Sequence, residues 1–423
     1  MTTLATQHRR ASFVPIYFVF FLDNFGFSLV FTIFGPLLLY PEFGFFTSHA
    51  TVGVRNLMIG ILFAAFPLAQ LFGAPIIGDL ADHYGRKKAF TISIAGSIIG
   101  YILSAIAILT QSFSLLLISR LLTGIVAGNL TLCLAAIADL SPTESSRGRH
   151  YGFIAVVAGV SWIVAMLAGG YLSDKEIYRY FNPALPFLVT AFLSVLALWA
   201  VAALFKETRP TRMKKLTFNL SRGFHNVIES FKIKEVRWLY LVYFFWVVGW
   251  GATVQWFTPF SIERFHVNQV EILWILVLFG LSWSIGGSLI NWFILKYWGS
   301  AAISKVTLAI NTIFVLGAAF CYYYEFFTWL YVISAAFAGV AMSNLLNLIS
   351  LSAPANMQGK VMGLSQSTMA LGWIIGPILG GLITDYMGID IIFFFAALFI
   401  LIAFILMLYD TCYMKRISGV GKK

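Results

Sequence analysis

Apolar residues along this chain fall into long unbroken runs separated by short polar gaps. Twelve windows stand out, near 13–39, 56–77, 89–110, 113–138, 151–173, 184–205, 237–258, 271–295, 302–323, 327–350, 360–383 and 389–410. About 20 apolar residues at roughly 1.5 Å per residue cover a hydrocarbon core of about 30 Å, so each window is long enough to cross a bilayer as a helix. The runs do not alternate every second residue, as the strands of a membrane barrel must. The pattern predicts an all-α polytopic membrane protein with twelve transmembrane helices. The first run follows His8, Arg9 and Arg10 but is too long for the apolar region of a cleaved signal, and no small-x-small site comes before the next span.

The polar gaps give the orientation. With the N-terminus inside, 23 of the 28 basic residues face inside, against Arg55, Lys175, Arg179 and Arg264 outside and Arg120 within a span. Lysine and arginine accumulate on the cytoplasmic side, so both termini are expected there, as an even span count requires. The longest inner gap falls at mid-chain. It divides the sequence into an N-terminal six-helix bundle (1–205), a basic cytoplasmic linker (206–236) and a C-terminal six-helix bundle (237–423).

Composition narrows the class. The chain is 60% hydrophobic and 11% charged, where soluble domains carry about 25% charged residues. That excludes an ordinary soluble enzyme, a disordered chain and a disulfide-stapled secreted domain. The net charge of +11 lies in the gaps between spans, so it marks topology and implies no nucleic-acid partner. Cys133, Cys321 and Cys412 have no metal-ligand or disulfide spacing, and neither a metal nor a cofactor is expected.

The sequence also repeats itself. Gly363, Gly372, Gly376, Pro377, Gly380 and Gly381 stand in the eleventh span; 211 positions earlier the fifth span has Gly152, Ser161, Ala165, Met166, Gly169 and Gly170. A shift of half the chain points to a duplicated six-helix unit, hence two pseudo-symmetric bundles. Small residues at these spacings let helices pack closely and bend.

Between spans two and three runs Gly78-Asp79-Leu80-Ala81-Asp82-His83-Tyr84-Gly85-Arg86-Lys87-Lys88. With the repeat, this loop gives the chain a resemblance to the major facilitator superfamily over essentially its whole length. It is similar within that family to the twelve-span drug/proton antiporters and, among those, the tetracycline/proton antiporters. The supporting strings are Asp23-Asn24-Phe25-Gly26 with Gly35-Pro36, Gln70 with Ala74-Pro75, Arg120 to Gly124, and Asp139 followed by Arg147, Arg149, His150 and Gly152. The resemblance implies alternating access, a gating loop of Gly78, Asp79, Asp82, Gly85, Arg86 and Lys87, and a cytoplasmic network of Asp139, Arg147 and Arg149. Two departures are plain: Ala165-Met166 replaces the Gly-Pro of the fifth-span motif, and no acid lies mid-span in the C-terminal half.

Charge inside the hydrocarbon is costly and marks function by default. Asp23 lies about ten residues past Phe13, roughly 15 Å deep, and the other acids fall in loops or near span ends. Asp23 is therefore the candidate proton-coupling carboxylate. Arg120 is its candidate partner, either directly or through water, or else the partner of an anionic substrate. Cavity candidates are Gln70, Asn129, Trp162, Trp246, Trp250, Gln255, Asn344, Asn347 and Gln366, amide and aromatic side chains suited to a bulky organic ligand. The expectation is a proton-coupled carrier of a small molecule in the bacterial inner membrane, functional as a monomer and exporting like a drug/proton antiporter. Transport of an anionic metabolite or siderophore is the alternative. An intramembrane enzyme would need paired catalytic groups at membrane depth, and the sequence offers none.

Overall fold

A computed structural model of the protein describes residues 2–40, 43–45, 50–141, 143–208, 236–353 and 358–417. Most of the predicted linker lies outside these, as does the side chain of Arg147. The described chain is helical, with no strand.

The chain forms two compact units, Met1–Thr47 with Ala65–Gly223, and Ser48–Ala64 with Phe224–Lys423. The first holds α1 (Thr2–Ser28), α2 (Val30–Leu39), the greater part of α3 (Val52–Tyr84), α4 (Arg86–Leu109), α5 (Phe113–Val126), α6 (Asn129–Leu140), α7 (Glu144–Ser173) and α8 (Leu185–Leu204). The second holds α9 (Arg237–Phe265), α10 (Gln269–Ile285), α11 (Asn291–Ile294), α12 (Ser300–Ala319), α13 (Tyr324–Ser352), α14 (Gln358–Met387) and α15 (Ile392–Ile417). The beginning of α3, within residues 48–64, also belongs to the second unit, a division the apolar pattern does not announce.

Among the described residues, eleven stretches are long and apolar enough to span a membrane. Two pairs of consecutive helices, α1–α2 and α5–α6, each make one such stretch, and α10 continues through a π-helical turn at Gly286–Ile290 into α11 to make a third. The predicted seventh span coincides with α9, a 29-residue helix. Its Trp238, Tyr240, Tyr243, Trp246, Trp250, Gln255 and Trp256 carry polar edges that lower its hydropathy and leave it outside the eleven.

In the first unit, Ile16, Val19, Phe20 and Leu22 of α1 pack with Phe90 and Ile94 of α4, Leu132 and Cys133 of α6, and Ala197 and Val201 of α8. In the second unit α9 packs on α14 and α15, and α12 packs on α13 and α15. Outward positions remain apolar: Ile99, Phe192, Trp199, Leu289, Trp292 and Ile313 are all exposed, as lipid-facing side chains are.

Two local features position the site. The fourth span breaks at Ala127–Gly128, where the Ala127 amide donates to the Gly124 carbonyl at 3.1 Å and α6 begins at Asn129. Earlier in the chain, Gly85 adopts φ +92° and starts α4, a conformation that a Cβ disfavours.

Candidate functional site

The break between α5 and α6 sets Asn129 beside α1. Ser93 Oγ lies 2.8 Å from Asn129 Oδ1 as donor, and also reaches the Val126 carbonyl at 2.6 Å. With its oxygen facing Ser93, the amide turns its Nδ2 to Asp23 Oδ1 at 3.0 Å. Asp23, Asn129, Ser97, Tyr101 and Ser194 line a cavity of about 10 Å³ inside the first unit, at the lower limit of what one water needs.

Arg120 is 1% exposed. Its guanidinium carbon stands 5.0 Å from the Phe66 ring centroid and 5.8 Å from that of Phe34, and its Nε and Nη1 have no hydrogen-bond partner. Asp23 and Arg120 make no direct ion pair: the carboxylate takes the Asn129 amide and the guanidinium takes two ring faces. Tyr101 lies within electrostatic reach of both, and its ring fills the space beside Gly26, where a Cβ would collide with it. Neither the Asn129 contact nor the approach of Tyr101 to the Asp23 cavity is stated by residue spacing, because the partners are far apart in sequence.

At the predicted gating loop, Arg86 Nε pairs with Asp139 Oδ2 at 3.4 Å, and Thr208 Oγ1 donates to the same oxygen at 3.1 Å. Glu207, absent from the sequence reading, caps α4: its two carboxylate oxygens accept the Arg86 and Lys87 amides at 2.9 Å each. A carboxylate at a helix N-terminus satisfies orphan donors and opposes the positive end of the dipole. Lys87 Nζ donates to the Ala202 carbonyl at 2.7 Å. Gly78 has open space where a Cβ would be, Asp79 is half-buried, and Asp82 and Arg149 are exposed.

In the second unit, Trp246 and Trp250 stack on Trp283, with centroids 6.4 and 5.5 Å apart. The stack continues through Phe279, Tyr331 and Phe257. Gln255 is buried with its Oε1 unpartnered, as are Trp246 Nε1 and Tyr243 Oη. Trp283 and Tyr243 extend the aromatic set beyond the predicted residues. Asn344 and Asn347 are occupied otherwise: Asn344 Nδ2 donates to Asn291 Oδ1 at 2.6 Å and Asn347 Nδ2 to Ser300 Oγ at 2.8 Å, ties between neighbouring helices. Gln70 and Gln366 are half-buried, and Trp162 packs its ring on Phe31 at 5.4 Å.

The glycine motif is used for close approach. Gly372 and Gly376 lie against Val247 and Val248 of α9, Gly380 against Trp256, and Gly381 and the Pro377 carbonyl against Leu57 and Gly60 of α3; Gly169 lies against Thr32 of α2. Gly363 meets nothing, and Gly152 and Gly170 lie within α7.

Spanning helices, a carboxylate and a guanidinium within them, and glycine-packed seams fit a polytopic membrane transporter. The Major Facilitator Superfamily profile matches residues 16–376, and again 304–411. The chain belongs to the Major Facilitator Superfamily; it is an integral multi-pass membrane transporter and not an enzyme. It is 27% identical to the class H tetracycline resistance protein of Pasteurella multocida over 89% of both chains. It is also 25% identical to the class B tetracycline resistance protein of Escherichia coli over 86% of both. Among solved structures, it is similar to a bacterial homolog of the human lysosomal transporter Spinster in an inward-facing and occupied conformation (TM-score 0.77, 15% identity, 96% of this chain and 97% of that one). A second similar structure is the human organic anion transporter MFSD10 (TETRAN), with TM-score 0.69, 18% identity, and 94% and 99% coverage.

Proposed function

We propose that this protein is a proton-coupled exporter of a small organic molecule, working by alternating access in a bacterial inner membrane with both termini cytoplasmic. The observation that carries this reading is Asp23, a carboxylate at membrane depth whose one hydrogen bond is from the neutral amide of Asn129. A carboxylate held by a neutral partner beside a water-sized cavity can exchange a proton without breaking an ion pair. Tyr101 lies within electrostatic reach of both Asp23 and Arg120, and in this reading proton occupancy at Asp23 changes the field around the guanidinium and biases the conformational equilibrium. The tetracycline resistance relatives support export.

Replacing Asp23 by Asn tests the reading in inverted vesicles under an imposed pH gradient, against a panel of cationic drugs, tetracyclines and carboxylates. Gradient-driven uptake is expected to vanish while exchange of preloaded substrate persists. Undiminished gradient-driven uptake would overturn the proton-coupling role.

Arg120 favours a second reading of the substrate. A buried guanidinium facing rings and no carboxylate has capacity for an anionic group, and one similar structure is that of an organic anion transporter. Transport of carboxylates, lost in Arg120→Lys because an ammonium lacks the planar fork, would favour this class over cationic drugs.

A further inference from the structure

A second partly buried carboxylate lies in the second unit, beyond the end of the predicted seventh span and unrelated to Asp23. Glu263 is in the last turn of α9, five residues past the predicted span, and is half-buried. Asn56, in the opening turns of α3, is 1% exposed and donates its Nδ2 to Glu263 Oε1 at 2.8 Å. The other half of that amide is unsatisfied: Asn56 Oδ1 is buried and has no hydrogen-bond partner. An orphaned buried acceptor on the residue already bonded to a carboxyl group calls for a donor, and a protonated carboxyl group supplies one.

We propose that Glu263 is a proton-binding site whose neutral form closes a two-hydrogen-bond acid–amide pair with Asn56. In that form Asn56 Nδ2–H donates to one carboxyl oxygen, and the O–H on the other donates to Asn56 Oδ1. Loss of the proton removes the second bond and leaves the buried Asn56 Oδ1 facing a carboxylate without a donor.

Among the described residues no cation pairs with Glu263. Arg264 turns from Glu263 to Asp390, at 2.7 Å, and to the Cys321 carbonyl at 3.0 Å. On α3, Arg55 Nε donates to the Ala50 carbonyl at 3.4 Å. Asp385 of α14 lies beside Gly53 of α3, and Asp390 adds repulsion. Of the other titratable groups nearby, His266 ends α9, Glu271 caps α10 with Asn268, and Tyr324 begins α13. Desolvation pushes the Glu263 carboxyl up to about 7, with Asp390 adding to it and the Asn56 bond opposing it, which places the switch within the physiological range.

The consequence is a pH-dependent fastening of α3. Its residues 52–64 already pack on α14 through Gly60 and Gly381. Any rearrangement that takes this stretch from the second unit breaks the Asn56–Glu263 pair, and breaks two bonds at acid pH against one at alkaline pH. This inference is independent of substrate and of Asp23.

The test uses the purified full chain at pH 6 and pH 8. Hydrogen exchange of the 52–64 amides, corrected for intrinsic rates, is expected to be about fivefold slower at pH 6, what one net hydrogen bond gives. Glu263→Gln, whose amide makes the same two bonds, should keep the slow exchange at both values, and Asn56→Leu should lose it at both. Infrared difference spectra of the wild type should show a carboxylic C=O band that titrates near pH 7 and is missing in Glu263→Gln. Equal pH dependence in wild type and Glu263→Gln, or no such band, overturns the proposal.

Discussion

At the scale of single residues, the mechanism rests on which neutral groups hold the charged ones. Asn129 orients Asp23 because Ser93 holds the other end of its amide. Asn129→Leu keeps the volume and removes the donor, and hydrogen bonds to charged groups contribute about 1.5–3 kcal/mol. The expected result is a loss of roughly tenfold or more in gradient-driven transport with substrate affinity kept, measured as initial rates against substrate concentration. Tyr101→Phe removes a hydroxyl within electrostatic reach of Asp23 and Arg120 and should shift the pH profile of transport without abolishing exchange; an unchanged profile would exclude Tyr101 from coupling. Asp23 and Arg120 were legible as charges deep in apolar runs. Glu207, Tyr101 and Glu263 were not, since each acts through a residue far away in sequence and lies in no motif.

Helices in this protein are fixed by their ends and their glycines. Glu207 caps α4 with two charge-assisted bonds, and losing a cap costs about 0.5–2 kcal/mol. Glu207→Ala should therefore lower the melting temperature of the purified protein, with Glu207→Gln between it and wild type because an amide has a single acceptor oxygen. Gly60 of α3 faces the Pro377 carbonyl, a backbone atom that cannot swing aside. Gly60→Val should destabilise by about 1–3 kcal/mol as an overpacked contact, whereas Gly363→Ala, in open space, should be neutral in the same thermal assay. The apolar runs foretold most of these helices. The break at Ala127–Gly128 was not visible, because Val126 and Leu130 continue the hydrophobic run on either side of it. Asn344 and Asn347 do share a helix face as their spacing requires, yet that face meets Asn291 and Ser300.

For the whole molecule, the bilayer is the second solvent, and the charge asymmetry predicts how the chain lies in it. In a background with the native cysteines replaced, Lys88→Cys should react with an impermeant thiol reagent from the cytoplasmic side only, and Lys175→Cys from the opposite side only. Both side chains are exposed, so the reverse pattern would invert the topology. The all-helical spanning architecture was readable because each run is apolar over a bilayer's thickness. The assignment of residues 48–64 to the second unit was not, since it depends on packing of Gly60 and Asn56 against partners more than 200 positions away.

The cap on α4 also determines where this polypeptide tolerates being severed. Glu207 lies three residues past the end of α8, at the very start of the long basic stretch. Two co-expressed fragments divided within residues 209–235 leave that carboxylate on the same piece as Arg86 and Lys87. Fragments divided between Leu204 and Glu207 strip it away. The first pair of genes should restore transport when expressed together, and the second should yield an N-terminal piece that is degraded faster.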